Sequence, residues 1–132
     1  EDHMIDFSIQ LSHRPGWLAD VTNALSLAGV NLKSVAAMSI GNEALVRLIP
    51  DDVDAARNVL RERNIQFEAA EVTAVLLENK AGELTGVAAR LSAAGLNMEA
   101  MYVVGLADDL LKLAIVSDDV KKAKKVLADL VS

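Results

Sequence analysis

Residues 14–32 read RPGWLADVTNALSLAGVNL, and sixty-six positions later residues 80–98 read KAGELTGVAARLSAAGLNM. At that offset Gly16 falls on Gly82, Leu18 on Leu84, Val21 on Val87 and Leu25 on Leu91. Ala28 then falls on Ala94, Gly29 on Gly95 and Asn31 on Asn97. After a shift of one residue, DDVDAARNVL (51–60) falls on DDVKKAKKVL (118–127). An internal duplication constrains a fold more than any composition does, because one supersecondary unit must be built twice from the same signals.

Each copy spells one element order. Ile5, Phe7, Ile9 and Leu11 alternate with polar residues, the mark of a half-buried strand. A turn at Arg14-Pro15-Gly16 leads into a helix whose Leu18, Val21, Leu25 and Ala28 recur at helical spacing before Gly29 stops it. KSVAAMSI and EALVRLI predict two strands around a tight turn at Gly41-Asn42. A second helix starts at Asp51-Asp52, whose carboxylates suit a helix N-terminus, and buries Val53, Ala56, Val59 and Leu60. A closing strand is expected over 65–70.

The second copy predicts strands over 72–77, 98–106 and 110–116, with helices over 83–94 and 118–130. It reaches Ser132 before a sixth element. The edge that strand would occupy is open, covered by something else, or lost by truncation. Two right-handed strand–helix–strand crossovers per copy give an antiparallel sheet with both helices on one face. The expected fold is therefore α+β: two ferredoxin-like βαββαβ repeats, 4–70 and 71–132, the second lacking its last strand, with only Glu71 between the first copy's last strand and the second copy's first.

Composition narrows the function classes. At 132 residues, 52% of them hydrophobic, the chain can bury a core in one ordinary domain or two very small ones. No apolar run approaches a membrane span, and no membrane partner is expected. Without cysteine, disulfides and thiolate metal sites are absent. The opening EDHMIDFSIQ has no basic start and no long apolar stretch. Residues 1–3 read as a vector remnant before Met4, and a cytoplasmic protein is the expectation. Net charge is −6 with four aromatic residues, which leaves neither a basic footprint nor stacking rings for nucleic acid. The run KKAKK at 121–125 reads as a solvated helix face.

The copies differ on one face. Asp6, Ser8 and Gln10 of the first strand point away from the helices, and their counterparts are Val72, Ala74 and Leu76. An apolar outer face asks for a cover, from a second chain or a partner enzyme.

The recurring turn joins a strand to a helix N-terminus. There, unpaired backbone amides and the positive dipole end favour a small anion such as a carboxylate. Glycine at 16 and 82 allows close approach to the backbone; the same residues also serve plain turn chemistry. HRPGWLADVTNALSLAGVNL and NKAGELTGVAARLSAAGLNM both resemble the ACT-domain pattern, and the resemblance runs over nearly the whole chain from Met4.

That resemblance implies a regulatory module that binds a small molecule, most often an amino acid, where two such domains pair. It implies a ligand between one domain's first strand–helix turn and a neighbour's helix and second strand. Carried onto this sequence, the turn positions are His13, Arg14, Pro15 and Gly16, and Asn79, Lys80, Ala81 and Gly82. Glu83, Leu84 and Trp17 follow the glycines. Asn79 stands where the family often binds a ligand's amino group; the first copy departs there with His13, which favours the pocket using Asn79. Asn31 and Asn97 match a position that bonds the ligand in some members, and an asparagine ending a helix also tolerates left-handed geometry. Trp17 lids a pocket or packs at an interface, while Leu18 belongs to the core. Ala81, Thr85, Ala36 and Ala37 suggest a compact or apolar ligand side chain.

Catalysis finds little support. His13 is the only histidine outside residues 1–3, so neither a histidine triad nor a histidine metal site can be assembled. The paired aspartates sit at helix starts. Acylphosphatases share the fold class, but their glycine-rich arginine loop is absent around Arg14, and the second copy has Lys80. No catalytic residue, metal or cofactor is expected. The reading is a sensor that forms a homo-oligomer, such as a dimer, and reports to a separate effector. The alternative is a ligand-free dimerisation or protein-docking module.

Overall fold

The computed structural model describes residues 4–131; the remnant expected at 1–3, and Ser132, lie outside the described residues. The chain divides into two compact units, Ile5–Ala70 and the remainder from Glu71 together with Met4.

The first unit contains β1 (Ile5–Ser12), α1 (Trp17–Leu27), β2 (Leu32–Ile40), β3 (Glu43–Pro50), α2 (Val53–Glu62) and β4 (Glu68–Glu71). Its strands lie in the order β2-β3-β1-β4. β1 and β3 run antiparallel with Ile9 opposite Val46 and Phe7 opposite Leu48, so alternate residues share the helix side. Phe7, Ile9, Val46 and Leu48 meet Val21, Ala24 and Leu25 of α1 and Ala56, Val59 and Leu60 of α2 in one core. Both helices therefore cover a single face. Ala28, which shares the helical spacing of Leu18, Val21 and Leu25, is exposed because α1 ends beside it.

Glycine stops the first helix of each copy in the same way. Gly29 has φ 76°, and the Val30 amide donates to the Leu25 carbonyl at 3.0 Å. Gly95 has φ 73°, and Leu96 donates to Leu91 at 3.0 Å. These reversed bonds satisfy carbonyls the helix end would leave open.

The second unit contains β5 (Thr73–Glu78), α3 (Glu83–Ala93), β6 (Met98–Ala107), β7 (Leu110–Ser117) and α4 (Val120–Val126), with strand order β5-β7-β6. Val75, Leu77, Leu113 and Ile115 pack with Val87, Leu91, Ala123 and Leu127. α4 is shorter than the expected 118–130. The chain leaves it at Leu127, and Val131 makes a single antiparallel bridge to Val75, with the Leu76 amide donating to the Leu130 carbonyl at 2.9 Å. The place beside β5 that a last strand would fill thus holds one bridged residue. Arg90 of α3 braces this turn: Nη2 donates to the Val126 carbonyl at 2.6 Å, and both terminal nitrogens bond the Asp129 carboxylate. That hydrogen bond holds the Asp129 carboxyl below its ordinary value.

The outer-face expectation changes. Val72 and Ala74 are already buried in the single chain, at 3% and 6% exposure, and only Leu76 stays open. On the helix side of β5, Thr73 is fully buried and its hydroxyl has no hydrogen-bond partner among the described residues. Its counterpart in the first copy is Phe7. Thr73→Val, close in shape and lacking the orphaned hydroxyl, is expected to stabilise the protein by about 1–2 kcal/mol in urea unfolding. An unchanged midpoint would mean that the hydroxyl is satisfied.

Candidate functional site

Each copy turns the same corner between its first strand and first helix. After β1 the backbone amide of His13 donates to the Asn42 carbonyl of the β2–β3 turn at 2.8 Å; after β5 the Asn79 amide donates to the Asp109 carbonyl of the β6–β7 turn at 2.6 Å. The chain then closes on itself, Trp17 donating to the Arg14 carbonyl and Glu83 to the Lys80 carbonyl, each at 3.3 Å. Gly16 and Gly82 stand at the helix N-caps with φ 86° and 91°. Left-handed backbone at these values is the physical reason for glycine in both copies.

The corners are open. A Cβ on Gly82 would meet nothing within 4 Å, and one on Gly16 only the Arg14 side chain at 3.9 Å. A bulky residue at Gly82 is therefore limited by backbone strain of about 1–2 kcal/mol rather than by space.

The four helices differ at their starts. α2 and α4 are capped: Asp52 accepts from the Ala55 amide at 3.0 Å and Asp119 from the Lys122 amide at 3.1 Å. At α1 and α3 no side chain caps the first turn. The two longer helices thus present amides and a positive dipole end at an exposed glycine, where an anion is favoured.

Cationic side chains flank both corners. Arg14 Nη2 donates to Asp20 at 2.7 Å and Nη1 to the Pro15 carbonyl at 3.2 Å. Lys80 Nζ lies 2.6 Å from Glu78, and that hydrogen bond raises its ammonium above the ordinary value. Trp17 is half-buried against the first core, as is Leu18, whereas the equivalent Leu84 is 50% exposed. His13, Pro15, Asn79, Ala81 and Thr85 are exposed, and Glu83 is half-buried.

Asn31 and Asn97 are placed elsewhere. An eleven-residue α1 is about 16 Å long, and Asn31 follows its far end. One small ligand cannot touch Gly16 and Asn31 within one repeat, and the same holds for Gly82 and Asn97. Both asparagines also have structural work. The Asn31 amide donates to the Asp51 carboxylate at 3.0 Å while the Asp51 amide donates back to the Asn31 carbonyl at 2.9 Å. Asn97 repeats this with Asp118 at 3.1 Å each way and adds its side-chain nitrogen at 3.3 Å. Each aspartate pair therefore divides its labour: the first member braces the second strand, and the second caps the helix. Ala36 and Ala37 are also away from the corners, on β2 opposite Arg47 and Val46.

Cavities of about 790, 260 and 210 Å³ are each lined within one repeat, and of the expected site residues only Asn97 borders one, the 260 Å³ cavity. The largest, lined by Ser8, Gln10, Arg57, Arg61, Gln66 and Phe67 among others, was not singled out in the sequence. The signal was present in the comparison of the two copies, since Arg57 and Arg61 fall on Lys124 and Ala128. Among the described residues no group of three or more His, Cys, Asp or Glu is placed to hold a metal, and no helix is long and apolar enough to cross a membrane.

No family model matches the chain, and no curated protein matches it. Solved structures do. The chain is similar to protein BT0572 from Bacteroides thetaiotaomicron at 25% identity and a TM-score of 0.83, over 96% of this chain and 88% of that one. It shares its fold with the ligand-free regulatory subunit of aspartate kinase from Thermus thermophilus, at 16% identity and a TM-score of 0.65 over 97% and 92% of the two chains. The Thermus flavus regulatory subunit matches at 15% and 0.63, over 97% and 92%. The fold is that of a tandem ACT-domain protein.

Proposed function

We propose that the chain is a regulatory protein that binds an amino acid at its glycine corners and reports to a separate effector. The observation that carries this reading is the difference among the helix starts. α2 and α4 are closed by Asp52 and Asp119, while α1 and α3 begin at exposed left-handed glycines without a side-chain cap. A ligand carboxylate would accept from the first-turn amides, with Arg14 or Lys80 beside it. At the second corner the exposed Asn79 side chain would take the amino group. Solved regulatory subunits of aspartate kinase with this fold support a regulatory role.

A thermal-shift screen of the twenty amino acids on the full chain tests the reading. A ligand that binds only the native state adds RT ln(1 + [L]/Kd), about 2.7 kcal/mol at a hundredfold excess over Kd. Concentration-dependent stabilisation by at least one amino acid is expected, and Asn79→Ala should abolish it at the second corner without moving the ligand-free Tm. Silence from all twenty at millimolar concentration would favour the second reading, a docking module without a small ligand. That reading draws on the apolar residues exposed along the sheet-edge strands: Val35, Met38 and Ile40 on β2, and Met98, Val103 and Leu106 on β6. Edges of this kind pair with a second copy of the chain.

A further inference from the structure

The groove of about 790 Å³ lies away from the glycine corners. β4 has four residues and lies beside a β1 of eight, so at most half of β1 has a strand on that side. Short of β4 the chain follows residues 64–67, and the groove opens among this segment, β1 and α2. Arg57 and Arg61 are one turn apart on α2 and therefore neighbours on one face. The Arg57 guanidinium lies 5.6 Å from the centre of the Phe7 ring, and that of Arg61 lies 5.9 Å from the centre of Phe67. The two rings are themselves 5.2 Å apart.

Arg14, Arg47 and Arg90 each hold a carboxylate; Arg57 and Arg61 hold none among the described residues. In a chain of net charge −6, the two arginines outnumber the one carboxylate that lines the groove, Glu68. The fold does not require this arrangement. In the second copy Phe7, Ser8, Gln10, Arg57 and Arg61 are replaced by Thr73, Ala74, Leu76, Lys124 and Ala128.

We propose that this groove docks an extended acidic segment of a partner protein, which adds to the free edge of β1 while its carboxylates pair with Arg57 and Arg61. Alternate side chains of a strand recur about every 7 Å on one face, close to the spacing of two side chains one helical turn apart, about 5–6 Å at Cβ. An acidic residue at every second position therefore reaches both guanidiniums. Main-chain hydrogen bonds to the β1 edge supply affinity, and the arginines select for charge. An open groove suits a strand better than a small ligand, which binds where most of its surface can be enclosed. The inference stands on this groove alone, independent of the glycine corners.

Fluorescence anisotropy with the full chain and a labelled Val-Glu-Val-Glu-Val-Glu-Val peptide tests it. Saturable binding that weakens with added salt is expected. R57Q/R61Q should weaken it by about tenfold or more, with circular dichroism confirming the fold. R57K/R61K, which keeps the charge but loses the planar fork, should fall between the two. A peptide with proline in place of the valines at its third and fifth positions should bind poorly, because ladder donors are gone. Four results would overturn the proposal: no saturation at millimolar peptide, equal binding of a Lys-for-Glu peptide, unchanged binding by R57Q/R61Q, or displacement at equal concentration by inorganic phosphate or free glutamate. The last would make the groove a small-anion site. Should R57Q/R61Q not fold, R57K/R61K and the proline peptide decide the question, and equal binding by both would also overturn it.

Discussion

Arg47→Met is expected to lower the unfolding free energy of the first repeat by about 3–5 kcal/mol. Arg47 Nη1 donates to Asp6 Oδ1 at 2.8 Å, and Asp6 is 1% exposed while Arg47 is 18% exposed. The guanidinium offsets part of the cost of burying a carboxylate this deep, and losing that neighbour removes this compensation. The second repeat shows the alternative, because Asp6 and Arg47 fall there on Val72 and Ala114, both buried. Taking the pair out together, as Asp6→Val with Arg47→Ala, should therefore cost much less than Arg47→Met alone. Urea unfolding followed by circular dichroism reads the difference. A single substitution that costs under about 1 kcal/mol would place the pair among weak surface bridges.

The same comparison between copies explains how much was legible beforehand. Element order, helix faces and both glycine corners followed from the sequence because duplication printed each signal twice: Gly16 with Gly82, Gly29 with Gly95, Val21 with Val87. Left-handed φ at those four glycines is the physical basis of the pattern. What was not legible depends on long-range geometry. Asp51 and Asp52 look alike as helix-start carboxylates, yet only Asp52 caps, because Asp51 is drawn twenty residues back to Asn31. Asn31 read as a position that bonds a ligand in some family members or ends a helix; its reciprocal bonding with Asp51 appears only in the fold. Arg57 and Arg61 were not singled out; their isolation from carboxylates and their places over Phe7 and Phe67 appear only in the fold.

One strand position carries opposite expectations in the two repeats, and this makes the second large prediction. Phe7 is fully buried, packs in the first core and stacks with Phe67 at 5.2 Å. Truncating a buried aromatic loses its transfer free energy and leaves a cavity, so Phe7→Ala should cost about 3–5 kcal/mol. It also removes the ring beneath Arg57. Its counterpart Thr73, equally buried, gains from becoming more apolar. If the compact units unfold in separable steps, Phe7→Ala should move only the transition of Ile5–Ala70, and Thr73→Val only the other. If they unfold as one cooperative body, both substitutions shift a single midpoint in opposite directions. In either case the loss at Phe7 exceeds the gain at Thr73, because a ring leaves a far larger hole than a hydroxyl.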